Sequence, residues 1–173
     1  MLTMWSSDFD EPNPPVSDAL VRELETMLGV KLPESYIALM REHNGGFLKA
    51  QLVPVTGEVP GDLAGYIDNG FVSVASIAGL NADPDASGSI SQTAYMTKEW
   101  NLPDRLVLLD GDGHTWVALD YRQLEIDPPV IFLESETGHY MNIATNFADL
   151  VEKLIPHEDV FDEDGKLRNA PRG

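Results

Sequence analysis

Apolar positions recur at helical spacing in four stretches of this chain and gather at strand spacing in six others. Leu20, Leu24, Met27 and Leu28 fall at i, i+4, i+7 and i+8, which predicts an amphipathic first helix. Ser17 is placed to cap its start, with Val16 positioned to staple onto Val21 one turn inside, and Gly29 ends it in the left-handed conformation a C-terminal cap requires. A second helix follows with Pro33 at its first position, where a fixed φ and a missing N–H cost nothing. It carries Tyr36, Ile37, Met40 and His43 on one mostly apolar face. Asn44-Gly45-Gly46 closes it, because two glycines in succession permit positive φ twice and turn the chain into a strand at Phe47. A third helix is expected from Ser89 to Pro103. Its pairs Ile90/Ala94 and Met96/Trp100 point in different directions, so its apolar face is broad. The fourth has Phe147, Leu150, Val151 and Leu154 on one stripe, with Asp149 in its first turn and Lys153 in its last, as the helix dipole favours.

Strands are expected over residues 47–55, where Pro54 belongs near an edge or a bulge, and over the alternating residues 71–75. Four more follow, at 105–109, 114–121, 129–134 and 139–143, joined by short turns that imply antiparallel neighbours. Trp116, Leu119, Ile131 and Phe132 are their candidates for burial. The pattern predicts an α+β domain in which about four helices pack against a mostly antiparallel sheet of about five to six strands. With 173 residues the chain holds one core comfortably. Residues 1–16 read as an irregular arm whose Trp5 and Phe9 tuck against the body, residues 17–156 as a single domain, and residues 157–173 as an acidic, flexible tail.

Charge changes this picture more than composition does. The chain has 29 acidic and 11 basic residues, a formal charge of −18. A field of that sign repels nucleic-acid phosphates and anionic lipid, and attracts basic macromolecules. Neither nucleic acid nor membrane is therefore an expected partner. No apolar run approaches the roughly 20 residues that span a bilayer, no secretory signal is visible, and there is no cysteine. A cytoplasmic protein without disulfides, thiolate chemistry or the common zinc frameworks is expected.

Leu24-Glu25, Leu28-Gly29, Leu32-Pro33, Ser35-Tyr36 and Asn44-Gly45-Gly46, in that order, resemble the signature of the SUKH superfamily. That group contains fungal Smi-Knr-type cell-wall assembly regulators and many bacterial immunity proteins. The resemblance extends over about residues 17–155, through the Gly-Asp-Gly turn and the Asn-Phe-Ala-Asp-Leu start of the last helix. It implies a helix-and-antiparallel-sheet fold and a non-catalytic binding role. The two acidic loops and the tail match no shared pattern.

Candidate chemistry is sparse. In Asp110-Gly111-Asp112-Gly113-His114, alternate carboxylates and an imidazole suggest a divalent cation, but an EF-hand loop needs a bidentate Glu at its twelfth position and Tyr121 stands there. Asp and Gly are also what a tight hairpin turn demands. His43, His114, His139 and His157 show no metal spacing, and no hydrolase motif or phosphate-binding glycine loop is present. No catalytic residue, metal or cofactor is expected. The distinctive feature is a pair of acidic loops carrying Glu58, Asp62 and Asp68, then Asp83 and Asp85, with Tyr66 as an aromatic anchor. These six are the expected partner-binding residues. The resemblance implies, as partner, a cognate toxin that the protein binds and neutralises, often a nuclease with a basic face. The alternative it implies is a regulatory interaction module of the cell-wall regulator type, with no toxin involved.

Overall fold

The computed structural model describes residues 4–7 and 13–168. Residues 4–7 lie antiparallel to the chain around Leu48, with Ser6 N–H donating to the Phe47 carbonyl and Lys49 N–H to the Met4 carbonyl, both at 2.8 Å. Trp5 is buried and stacks on the His43 ring, centroids 4.5 Å apart. Phe9 lies outside the described residues.

Helix α1 (Asp18–Leu28) starts where Ser17 Oγ accepts from Leu20 N–H at 3.1 Å and ends at left-handed Gly29, whose N–H returns to the Glu25 carbonyl. Its core stripe runs through Leu20, Val21, Leu24 and Leu28, whereas Met27 is 45% exposed. At 3.6 residues per turn Met27 falls at the margin of that stripe. In α2 (Glu34–Glu42) Tyr36 and Met40 are buried; Pro33 sits one residue earlier than expected, outside the first helical residue. Gly45 and Gly46, at φ 79° and 138°, turn the chain as the sequence suggests.

The strand expected over 47–55 is two strands, β1 (Gly46–Phe47) and β2 (Ala50–Pro54), and the one over 71–75 becomes β3 (Phe71–Ser73) and β4 (Ser76–Ile77). β1 pairs with β4 and β2 with β3, both antiparallel, so the chain turns a corner between two small sheets. A 3-10 turn at Gly61–Tyr66 lies between β2 and β3, and another at Ile90–Gln92 leads into α3 (Thr93–Glu99), shorter than the expected helix.

β5 (Leu106–Gly111), β6 (Thr115–Asp120), β7 (Val130–Glu134) and β8 (Tyr140–Ala144) form the four-stranded antiparallel sheet in sequence order. α4 (Phe147–Lys153) is capped by Asn146, whose side-chain oxygen accepts from Asp149 N–H at 2.8 Å, and an Asp149–Lys153 pair at 2.9 Å spans its last turn. After α4, β9 (Ile155–Pro156) adds to β2, and the stretch from residue 157, expected as a flexible tail, begins with a short helix, α5 (His157–Val160). Phe161 is buried, edge-on to Phe71, and bridges Leu167.

The four-stranded sheet is covered on both faces. Val107, Val117, Leu119, Phe132 and Ile143 join Leu24, Tyr36, Met40, Phe147 and Leu150 of the helices in the main core. Leu106, Leu108, Trp116, Ala118, Ile131 and Leu133 form a second cluster with Leu102, and Met96 of α3 packs against it. A strand buried on both faces reads as a continuous apolar run, which is why all of β7 is apolar apart from Glu134.

Candidate partner-binding cleft

A β-bulge in the edge strand β5 organises the site. Leu108 stands opposite Ala118, but Asp110 rather than Leu109 stands opposite Val117, so one extra residue shifts the register. Bulges re-aim side chains. Here the shift brings Asp110 onto the face that carries Val117 and its own partner Phe132, so Asp110, Val117 and Phe132 make one lateral row across three strands. Gly111 moves opposite Trp116, and a Cβ built there would run into the Trp116 indole. The Asp110 carboxylate is held from the side, accepting from Ala75 N–H at 2.9 Å and from the Ser76 hydroxyl at 2.7 Å. Ser76 in turn stands directly opposite Phe47 in the β1–β4 pair.

Around this row opens a cleft of about 930 Å³. Phe47, Tyr66, Trp116 and Phe132 supply its aromatic surface, and Asp110 and Asp112 its charge. Among the described residues lining it there is no Lys, Arg or His. Phe47 and Tyr66 are each nearly half exposed, and Tyr66 stands edge-on to Phe132 at 6.4 Å. Two exposed large aromatics on one concave surface are the kind of feature that marks an interaction site.

Both acidic loops meet this cleft, each through one short stretch. The first folds inward on Leu63, which is fully buried in the 3-10 turn Gly61–Tyr66, and this places Tyr66 in the cleft wall. Asp62, on the same turn, pairs with His139. Asp68 exchanges backbone hydrogen bonds with Phe71, and its carboxylate accepts from the Asn69 amide at 2.7 Å. Glu58 is exposed. The second loop is tied at its neck, where Gly79 N–H donates to the Gly88 carbonyl and Ile90 N–H to the Gly79 carbonyl, and its Ser87 to Ser89 segment lines the cleft. Asp83 accepts from Asp85 N–H at 3.0 Å, and its carbonyl accepts from the Ser91 hydroxyl at 2.9 Å. Asp83 and Asp85 are exposed on that loop. Of the six residues singled out from sequence, Tyr66 alone lines the cleft; the five carboxylates are distributed over the two loops that border it.

The turn expected over Asp110 to Gly113 is confined to Asp112, Gly113 and His114, because Asp110 and Gly111 continue strand β5. Asp112 accepts from Thr115 N–H and His114 N–H, both at 2.9 Å, and the Thr115 N–H above all holds its carboxyl below the usual carboxylate range, against the opposing effect of burial. The histidines are dispersed: His43 lies against Trp5, His114 near Trp100, His139 on Asp62 and His157 against Phe161. Among the described residues no group of three or more His, Cys, Asp or Glu is placed to hold a metal ion. No helix among them is long and apolar enough to cross a membrane.

The signature residues support the cleft from behind. The Tyr36 hydroxyl donates to the Ala78 carbonyl at 2.5 Å. Asn44 receives Leu80 N–H at 2.7 Å and donates to the carbonyls of Leu80 and Pro14. Glu25 accepts from Leu32 N–H at 3.2 Å, closing the link between α1 and α2. Residues 15–153 match the model of the SMI1 / KNR4 family (SUKH-1). The chain belongs to that family. No curated protein sequence matches it. Membership explains why this SUKH-1 domain has its helical signature and its antiparallel sheet, and it supports protein binding as the general role.

Phe47, Ser76, Asp110 and Trp116 complete the cleft and are absent from the sequence-based site. Phe47 and Trp116 read as strand residues and Asp110 as a turn residue. No local pattern joins residues this far apart in the chain, because only strand pairing and the bulge bring them together.

Proposed function

We propose that this SUKH-1 domain is a non-catalytic immunity protein that acts in the cytoplasm, binding a cognate bacterial toxin and neutralising it through its acidic side. The observation that carries this reading is the cleft itself: an aromatic concavity with no Lys, Arg or His among its described lining residues, bordered by two acidic loops, on a chain of formal charge −18. Toxins that cut nucleic acid are basic where they grip phosphate, and such a face complements this one. Charge speeds encounter and selects partners, and buried aromatic anchors set the lifetime of the complex. Glu58, Asp62, Asp68, Asp83 and Asp85 supply the steering charge, and Tyr66 an anchor. The loop carboxylates do not converge on a common point, and Asp110 and Asp112 are occupied with backbone and hydroxyl donors, which favours binding over acid–base chemistry.

The test is a pull-down from lysate of the source cells, at low and at high salt, with the wild type and with a variant in which Asp62, Asp68, Asp83 and Asp85 are all changed to Asn. Asn keeps an acceptor oxygen for the Asp85 N–H and removes the charge. Capture of one basic toxin-like protein, released by salt and lost with the variant, is the expected result. Capture of a housekeeping protein by both forms would replace this reading with the regulatory-module one.

A further inference from the structure

We propose that Asn69 is a site of spontaneous covalent modification, where the Gly70 amide nitrogen attacks the side chain and the first acidic loop acquires aspartate or isoaspartate. This goes beyond the binding role and does not depend on it.

The chain contains Asn-Gly twice, at Asn44-Gly45 and at Asn69-Gly70. In this dipeptide the glycine nitrogen can close a five-membered ring on the side-chain carbonyl carbon, and glycine brings no Cβ to hinder the approach. Whether the ring closes depends on what holds the two groups apart.

At Asn69 little does. Asp68 and Phe71 exchange backbone hydrogen bonds across a tight turn with Asn69 at φ 51° and Gly70 at φ 83°. A hairpin turn of that kind demands positive φ at both central residues, which is why Asn-Gly stands there. Both residues are exposed, a Cβ on Gly70 would meet nothing within 4 Å, and among the described residues no acceptor takes the Gly70 N–H. The Asn69 amide is tethered by one hydrogen bond, from its nitrogen to the exposed Asp68 carboxylate at 2.7 Å. Bringing nitrogen and carbon together therefore requires only a local opening of a surface turn.

Asn44 supplies the internal comparison. Its amide donates to the carbonyls of Pro14 at 2.6 Å and Leu80 at 2.9 Å, and its oxygen accepts from Leu80 N–H at 2.7 Å. Gly45 is buried against the Gly79 backbone, and its N–H donates to the His43 carbonyl at 2.9 Å. The same dipeptide is here locked at both reacting groups.

The chemistry needs only water. The Gly70 nitrogen gives its proton to solvent base and bonds to Asn69 Cγ, the Cγ–Nδ2 bond breaks, and ammonia leaves with a proton taken from solvent. Water then opens the resulting imide. Opening at Cγ yields aspartate, and opening at the main-chain carbonyl yields isoaspartate, which runs the backbone through the side chain and adds a methylene to it. Either product places a new negative charge beside Asp68. Isoaspartate also lengthens the turn and loosens the Asp68–Phe71 pairing.

The test incubates the full chain at neutral and mildly alkaline pH, native and in urea, and follows both sites by tryptic mass spectrometry. An isoaspartyl methyltransferase labels the isoaspartate. Cleavage after Arg41, Lys49 and Lys98 puts Asn44 and Asn69 in separate peptides. In the native chain Asn69 is expected to convert about ten-fold or more faster than Asn44, because a protected site reacts only as often as it opens. Alkaline pH should speed the conversion, and in urea the two rates should be similar. Asn69→Gln, whose side chain can close only a larger ring, should abolish the methyl label in its peptide. An Asn69 that stays an amide in the native chain while converting in urea would overturn the proposal. So would equal native rates at the two sites, or an undiminished label in Asn69→Gln.

Discussion

The buried Tyr36 hydroxyl donates to the Ala78 carbonyl across 42 residues of sequence. On its other side Ala78 N–H donates to the carbonyl of Leu109, the extra residue of the bulge, at 2.8 Å. A helix residue of the family signature is thus connected through one residue to the point where the sheet edge changes register. Among the described residues α1 and α2 contribute no side chain to the cleft wall, yet α2 fixes the strand that forms it.

Replacing Tyr36 by Phe keeps the packing against Phe147 and leaves the Ala78 carbonyl without its donor. A loss of about 1–3 kcal/mol is expected, or a melting point lower by about 2–4 °C for each kcal/mol. Thermal unfolding of the variant measures it. Burial is the main reason the Tyr36 hydroxyl ionises well above its ordinary range, with Tyr121 adding to the effect. Stability from this group is therefore intact below the unfolded tyrosine pKa of about 10 and is lost as pH rises through the higher folded value.

Two left-handed glycines in the signature should respond unequally to alanine. Gly29 has open space where a Cβ would stand, so Gly29→Ala costs only its backbone strain, about 1 kcal/mol. Gly45 also has positive φ, but its Cβ would lie 2.5 Å from the Gly79 backbone nitrogen. Gly45→Ala should cost several times as much, since backbone cannot move aside as a side chain does. Denaturant unfolding of the two variants compares them directly, and equal losses would remove Gly45 as a close-contact position.

Acid stability should depend on the Asp120–Arg122 pair. Burial alone would raise the Asp120 pKa, but the hydrogen bonds and charge of Arg122 outweigh it, and the carboxyl ends below its ordinary range. A lowered folded pKa adds stability above the unfolded carboxylate range, and that stability disappears as pH falls through the folded value. In Arg122→Gln the guanidinium's hydrogen bonds and charge are lost and the backbone N–H of residue 122 is left to oppose burial, so the Asp120 pKa moves upward. The acid-unfolding midpoint should then move to higher pH, as circular dichroism from pH 7 to pH 2 would show. An unmoved midpoint would mean that Asp120 gains nothing from the guanidinium.

Association with the proposed basic partner should be fast at low ionic strength and slow markedly as salt shortens the Debye length from about 30 Å at 0.01 M to about 8 Å at 0.15 M. The four-fold loop variant should lower the association rate about ten-fold and flatten the salt dependence, with little change in dissociation. Stopped-flow mixing separates the two rates. A change confined to dissociation would place the loop carboxylates inside the contact and not around it.

Much of the architecture is legible in the sequence, because helices and strands announce themselves over short windows. Ser17, Gly29 and Gly45 each do what local chemistry predicts, and the four C-terminal strands pair in the expected order. Less legible are features that depend on two distant segments. The strand over 47–55 divides because its partners lie in different sheets. Phe161 is buried because Phe71, ninety positions earlier, comes to meet it. The acidic loops are visible as composition, but only Tyr66 could be assigned to the cleft wall from them, and Asp110 is a turn residue until the bulge redirects it.

If the same sequence paired without the bulge, β5 would carry Leu109 opposite Val117 and Asp110 opposite Trp116, and the row leading to Phe132 would be aliphatic. The electrical sign of the cleft floor is therefore written in the spacing of an edge strand as well as in its composition. Deleting Leu109 would leave Asp110 opposite Val117 in a regular ladder and keep the floor charged. Inserting one residue before Asp110, on the far side of the bulge, would instead shift the carboxylate off that position and leave the floor apolar.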